Sequence, residues 1–315
     1  MRTIQLRHQL SRLPIQAGMT ALCALATLSP DLTANPRALP GPWVSCDDGD
    51  VGIERLSEWP KLVSKTSSSK EITRLRKART EEMGTEAASA LVDSGASVVP
   101  LLLKSLAKEK DEDARVRIVA VLDAICGAAH TRLLAQEFDN RSQNVRRWAL
   151  NKVALTPDEG VRDAAEAALA SAAKGSKEDG EQAAEQYAAA LCVTSAGSLA
   201  GLDTLYGAAI LDWKGNGTSI RRALEVVRGP KAAEQFWASV DSGDRKHRIA
   251  TLRMLAGCGE KAGARKLSGM LDDTDNGIRV AAINALRGMV DGEPPLVKLA
   301  TFAAIEKALK WKERL

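Results

Sequence analysis

The chain predicts an all-α fold, an α-solenoid of stacked antiparallel helix pairs, and three observations predict it. First, an apolar residue followed by arginine, with alanine three positions later, recurs at Val116-Arg117-Ala120, Val145-Arg146-Ala149, Val161-Arg162-Ala165 and Ile278-Arg279-Ala282. Weaker copies at Ile220-Arg221 and His247-Arg248 put Leu224 and Thr251 at the alanine place. Successive arginines lie 29, 16, 59, 27 and 31 residues apart. With 59 read as two units and 16 as half of one, the period is roughly 30, a length typical of stacked helical repeats. Second, the apolar spacing is helical. Ile278, Ala282, Ala285 and Leu286 fall at i, i+4, i+7 and i+8, and Val161, Ala165, Ala168 and Leu169 repeat the stripe. Third, aromatics make up 3% of the 315 residues while alanine is abundant. Small side chains let helices approach closely, in thin layers that each touch only their neighbours.

The N-terminal residues 1–34 read as an export signal. Arg2, Arg7 and Arg12 form a basic start, and Gly18 to Leu28 is an apolar run too short to span a bilayer. Cleavage is expected after Ala26 or Ala34. Leu22 precedes Cys23 where a lipoprotein signal needs a small residue, which argues against lipidation. An exported location, periplasmic or extracellular, follows, with the cytoplasm as the alternative. Nothing else in the sequence is long and apolar enough to cross a membrane.

Residues 35–70 read as a flexible Pro/Ser-rich linker. Pro36, Pro40, Pro42 and Pro60 break regularity, and the run from Ser64 to Ser69 holds little to bury. Trp43 and Trp59 are expected to cap the first repeat, with capture by a partner as the alternative. Residues 71–315 then form the repeat array with capping helices at both ends. A polar helix over about 70–92 carries Arg74, Arg76, Lys77 and Arg79 ahead of Glu81, Glu82 and Glu86, a balance suited to spaced charge pairs.

The pairs follow in order: Val98–Ala107 with Asp113–Ile125, then Ala128–Phe138 with Asn144–Leu155. Thr156-Pro157-Asp158-Glu159 combines a capping threonine, a proline at the first position and a glutamate at the third, and opens a helix to about Ala173. After the break at Gly175-Ser176-Lys177 a helix runs from Asp179 to Val193. Gly197–Leu211 pairs with Thr218–Val227 across a turn at Trp213-Lys214-Gly215-Asn216-Gly217. Pro230–Val240 pairs with Arg245–Leu255, and Glu260–Leu271 with Gly277–Val290. Pro295–Trp311 closes the array. Its Lys307, Lys310, Lys312 and Arg314 suit a helix C-terminus and a polar outer face.

These motifs resemble the HEAT-repeat family in its short form of about 30 residues. The second helix of that repeat reads Asp-x-x-apolar-Arg-x-x-Ala-x-x-Ala-Leu. Asp275, Ile278, Arg279, Ala282, Ala285 and Leu286 match it in full, as do Asp158, Val161, Arg162, Ala165, Ala168 and Leu169. Asp113, Val116, Arg117, Ala120 and Leu122 match in part. The second match falls on what the pairing makes a first helix, so the register between 156 and 217 stays open. The resemblance implies that the arginines and aspartates bond across adjacent repeats as an internal ladder. Its members here are Arg117, Arg146, Arg162, Arg221, Arg248 and Arg279, with Asp275.

Charge and motifs narrow the function. The formal charge is +4, from 44 basic and 40 acidic residues, and residues 1–34 supply +2 of it. The remainder is nearly neutral with signs interspersed, which argues against a chain built to neutralise phosphates. His8, His130 and His247 share no metal-ligand spacing. No HExxH, P-loop or GxSxG motif occurs, and Gly215-Asn216-Gly217 fails the dinucleotide fingerprint at Ile220. No metal, no cofactor and no catalytic residue is therefore expected. Some HEAT-like proteins are lyases, hydroxylases or DNA glycosylases, and the hydroxylases need paired His-Glu motifs that this sequence lacks.

The reading is a non-catalytic protein–protein interaction scaffold, with a protein partner bound where repeats depart from the apolar pattern: at Asp123, Lys152 and Trp237. The alternative is a nucleic-acid-binding or base-modifying protein. It would use basic clusters at 146–148 (Arg146, Arg147, Trp148) and 245–248 (Arg245, Lys246, His247, Arg248).

Among the five cysteines, Cys126, Cys192 and Cys258 are each 66 residues apart, about two repeats. Helices pack roughly 8–10 Å apart, so thiols two repeats apart exceed the roughly 7 Å Cα limit of a disulfide. They are expected to be buried free thiols, with Cys46 alone open to reaction.

Overall fold

A computed structural model of the protein describes residues 56–62, 64–174, 180–241 and 243–315, all within one compact unit, Gly49–Leu315. The expected export signal, Cys23, Trp43, Cys46, most of the linker and the break at Gly175-Ser176-Lys177 lie outside the described residues. Among the described residues the chain is all-helical, without a strand. Fourteen α-helices follow one another: α1 Lys65–Arg76, α2 Glu81–Asp93, α3 Val99–Leu106, α4 Glu112–Ile125, α5 Thr131–Ala135, α6 Gln143–Val153, α7 Arg162–Ala172, α8 Gly180–Ser195, α9 Leu202–Leu211, α10 Trp213–Val226, α11 Pro230–Trp237, α12 Arg245–Cys258, α13 Asn276–Leu286 and α14 Thr301–Arg314.

Short polar side chains cap six of these helices. Asp111 accepts from Ala114 N at 2.8 Å, Asp244 from Lys246 N and His247 N, and Asp275 from Gly277 N and Ile278 N. Each satisfies amide donors that a helix N-terminus leaves open, worth about 1 kcal/mol apiece.

Packing follows chain order. α4 carries α3, α6 carries α5, α8 carries α7, α10 carries α9, and α12 carries α11. α13 carries a 3-10 segment, Lys261–Asp272. The second members also touch in sequence: α6 with α8, α8 with α10, α10 with α12, and α12 with α13. α8 thus lies against both α7 and α6. Fully buried alanines sit at these contacts, among them Ala149, Ala188, Ala189, Ala190, Ala282 and Ala285. Cys126, Cys192 and Cys258 are buried and free, and burial pushes each thiol up to about 12.

Several local expectations are corrected. The polar helix over 70–92 is two helices, α1 and α2. Thr80 ends the break between them by accepting from Met83 N at 3.3 Å. α1 also begins inside the serine run read as linker. Ser64 accepts from Ser67 N, Ser68 donates to Ser64 O, and Ile72 and Leu75 supply the buried face. Thr156 does not open the next helix. Its hydroxyl lies 2.8 Å from that of Thr131, and Asp158 serves as the cap by accepting from Gly160 N at 2.9 Å.

The stretch Trp213–Gly217 is not a turn but the first turn of α10, capped by Asp212 through Gly215 N at 3.0 Å. Gly217 is needed there because a Cβ would come within 2.7 Å of the Trp213 ring. The helix expected at Glu260–Leu271 winds as a 3-10 helix, with Ala264, Leu267 and Leu271 buried. Gly263 lets it approach the Trp237 ring, to 2.5 Å from where a Cβ would stand.

α13 gives way to a π turn, Arg287–Asp291, that closes on Gly292 at φ 65°. α14 starts at Thr301, not Pro295, and Asn284 holds the intervening loop by accepting from Leu296 N at 2.8 Å. Its outer face is not polar, since Phe302, Ile305 and Leu309 are exposed. In α4, finally, the stripe expected inside is turned out. Val116 is 48% exposed, while Ala114, Ile118, Val121 and Leu122 form the buried side.

Candidate functional site

The arginine series ties helix to helix, but rarely through the aspartates that the motif suggests. Arg117 on α4 donates to Leu75 O and Arg76 O at 2.9 and 3.0 Å, the last carbonyls of α1. Arg162 donates to Ala196 O at 3.0 Å, just past the end of α8. A cation is favourable at a helix C-terminus, where carbonyls lack partners. Arg146 on α6 grips Glu185 on α8 with Nε and Nη2, at 2.5 and 2.9 Å. The hydrogen bonds that it donates to Glu185 raise the Arg146 pKa above its ordinary value.

Arg248 on α12 reaches Asp273 at 2.6 Å, and Arg279 on α13 donates to the Asp273 carbonyl at 2.9 Å. Asp275 caps α13 and pairs with Arg245 at 2.6 Å. The rung at Asp275 therefore crosses between α12 and α13, but through Arg245 and not through a motif arginine. Arg221 is the exception to the ladder: its Nε donates to Gly217 O at 3.3 Å within its own helix. The degenerate motif around it has Leu224 buried in place of alanine.

Two of the three candidate binding residues meet. Trp148 on α6 donates its indole N–H to Asp123 Oδ1 on α4 at 3.0 Å. Lys152, one turn further along α6, donates to Asp123 O at 2.9 Å and lies 3.6 Å from Oδ1. Lys152 is largely buried by this contact, whereas the Asp123 side chain stays 49% exposed. Val116, Ala120 and Asp123 lie at i, i+4 and i+7, one stripe of α4 that the core does not cover.

Trp237 is elsewhere. Its half-buried ring lies against Gly263 and under Lys266, whose ammonium sits 4.8 Å from the ring centroid. It packs α11 onto the 3-10 segment, a structural role that the sequence missed because Gly263 is remote in the chain.

The two basic clusters are matched by acids. Arg146 pairs with Glu185 and Arg147 with Glu181. Arg245 pairs with Asp275, His247 with Asp244, and Arg248 with Asp273. Trp148 is buried, so it offers no ring for a base. Among the described residues no group of three His, Cys, Asp or Glu side chains converges as metal ligands would, and no single helix is long and apolar enough to cross a membrane.

Trp59 docks, but not on the first helices. It stacks on His130, with centroids 5.7 Å apart and planes 14° from parallel, while Leu56 N donates to Ala129 O at 3.1 Å. His130 Nδ1 accepts from Gly127 N at 3.2 Å, and burial lowers the imidazole pKa. The segment before α1 is thereby anchored to the turn between α4 and α5.

Sequence reasoning missed Glu185, Asp273 and Glu109. Glu185 carried a readable signal. It stands at the arginine place of its own helix, with Ala188 three positions later and Leu191 after that. Glu109 pairs with Arg76 across α1, and the hydrogen bond from that guanidinium holds its carboxyl below the ordinary 4.5.

The chain matches no protein-family model, and no curated protein sequence matches it.

Proposed function

We propose that this protein is a non-catalytic protein–protein interaction scaffold, an α-solenoid of HEAT-like helix pairs, exported from the cytoplasm by its N-terminal signal. The observation that carries this reading is the packing order: six pairs follow one another, and the second member of one touches the second member of the next. A stack of that kind offers a long, continuous recognition surface. Many of its charged side chains join helices, Asp123 among them, and the stripe Val116-Ala120-Asp123 on α4, which the core leaves uncovered, is the face we assign to a protein partner. No cofactor enters this reading. Export rests on Arg2, Arg7, Arg12 and the apolar run from Gly18 to Leu28.

The nucleic-acid alternative loses weight because four arginines of the two basic clusters already hold carboxylates. Phosphate binding would have to displace those acids.

The test is a tagged chain produced in its native host, with the mature N-terminus read and retained molecules identified. The scaffold reading predicts an N-terminus near Ala26 or Ala34, a stoichiometric protein partner, and no binding to DNA or RNA at low salt. An intact Met1 with nucleic acid retained, and affinity falling steeply with salt, would replace it with the alternative.

A further inference from the structure

We propose that the chain binds a second copy of itself through α14, the two helices lying antiparallel about a twofold axis beside Ile305. α14 carries two apolar stripes. Ala304, Ala308 and Trp311, at i, i+4 and i+7, are buried, on a helix packed against α13 and the 3-10 segment Lys261–Asp272. Phe302, Ile305 and Leu309, at i, i+3 and i+7, are 88%, 42% and 57% exposed, and Val297 just before the helix is 95% exposed. An apolar stripe of this kind, rimmed by charge, marks an association surface.

The rim identifies the occupant. Most charges of α14 are already engaged: Lys312 with Asp272, Arg314 with Asp291 at 2.7 Å, and Lys310 with Glu306 at 2.6 Å. Lys298 ahead of the helix, Glu313 and half-buried Lys307 stand outside these pairs; of these, Lys298 and Glu313 are exposed and flank the two ends of the apolar stripe. A twofold axis between Ile305 and Glu306 sets Phe302 against Leu309 of the second copy and brings the two Ile305 side chains together. The antiparallel arrangement brings Lys298, just ahead of α14, to the end of the pair that carries Glu313 of the second copy, and symmetry makes that contact twice. Ala300 gives the N-terminus of α14 no side-chain cap, so the incoming Glu313 also faces the positive end of a helix. A partner of one charge sign would meet one attractive end and one repulsive end. A parallel copy would set like charges together.

This proposal stands whether or not the scaffold reading holds. The test is sedimentation equilibrium of the full chain. The wild type is expected to show a concentration-dependent dimer. Leu309→Glu raises the dissociation constant by about tenfold or more, because a charge enters an apolar seam. Lys298→Glu and Glu313→Lys each weaken the dimer, and the double exchange recovers it. These two exposed positions keep the test valid if Leu309→Glu loses its helical circular dichroism. In a chain with Cys23 and Cys46 replaced by serine, Ile305→Cys oxidises to a covalent dimer. A monomer at every concentration overturns the proposal, and so does a dimer indifferent to all of these changes. A monomer whose Phe302→Cys thiol is shielded from maleimide also overturns it, since another segment or another protein then covers α14.

Discussion

Arg146 and Glu185 form a two-point guanidinium–carboxylate pair across α6 and α8, with the Glu185 side chain 6% exposed. Both residues occupy the same place in the repeat motif, the position three before a buried small residue: Ala149 in one helix and Ala188 in the other. Where the other helices hold an arginine, α8 holds its acid. Removing the acid strands a mostly buried cation. Glu185→Ala is expected to cost about 3 kcal/mol in urea unfolding, and Arg146→Met with Glu185→Leu to recover much of that loss. A double variant as unstable as the single one would contradict the pairing account.

Glu109 sets a pH dependence. The hydrogen bond from Arg76, aided by amide donors from Asp111 and Lys110, lowers its pKa from the ordinary 4.5. The carboxylate is thus favoured in the folded chain. Its contribution is full above 4.5 and is lost as pH falls through the lowered folded value. The stability gap between wild type and Glu109→Gln should therefore narrow as the pH falls below the ordinary 4.5, measured by thermal unfolding. A gap that stays constant across that window would remove Glu109 from the acid response.

Ala282 and Gly207 make opposite predictions from local space. Ala282 is fully buried at the face of α13. Leucine there forces neighbouring helices apart and is expected to cost about 1–3 kcal/mol. Gly207 lies within α9 with nothing within 4 Å of an added Cβ. Alanine there should stabilise by about 0.5–1 kcal/mol through helix propensity. Equal midpoints for the two variants in denaturant would argue against the helix register.

The three described cysteines should be silent. Burial pushes the thiols of Cys126, Cys192 and Cys258 up to about 12, so near pH 8 each remains a shielded thiol rather than a nucleophilic thiolate. With Cys23 and Cys46 replaced by serine, the native chain should react with Ellman's reagent only after unfolding. Rapid labelling of a native thiol would show that a helix pair opens.

The sequence carried the helix pairs because periodicity and capping are local. The stripe Ile278, Ala282, Ala285 and Leu286 is buried as its spacing predicts. What it did not carry depends on distant partners. Val116 and Ala120 obey the same spacing, yet α4 turns them outward, because its Ala114, Ile118 and Leu122 make the better buried side. Gly217 and Gly263 look like turn residues, yet each makes room for a tryptophan ring, Trp213 and Trp237. Asp123 and Lys152 broke the apolar pattern in two different helices. Only the packing of α4 beside α6 shows that the two deviations answer each other.

Site-specific photo-cross-linking in the native host tests the central claim most directly. A cross-linking residue at exposed Val116 lies on the uncovered stripe of α4, and one at exposed Glu166 on α7 serves as the control. The account predicts a discrete protein adduct from position 116 that position 166 does not give. An adduct with nucleic acid at position 116, or the same products from both positions, would contradict it.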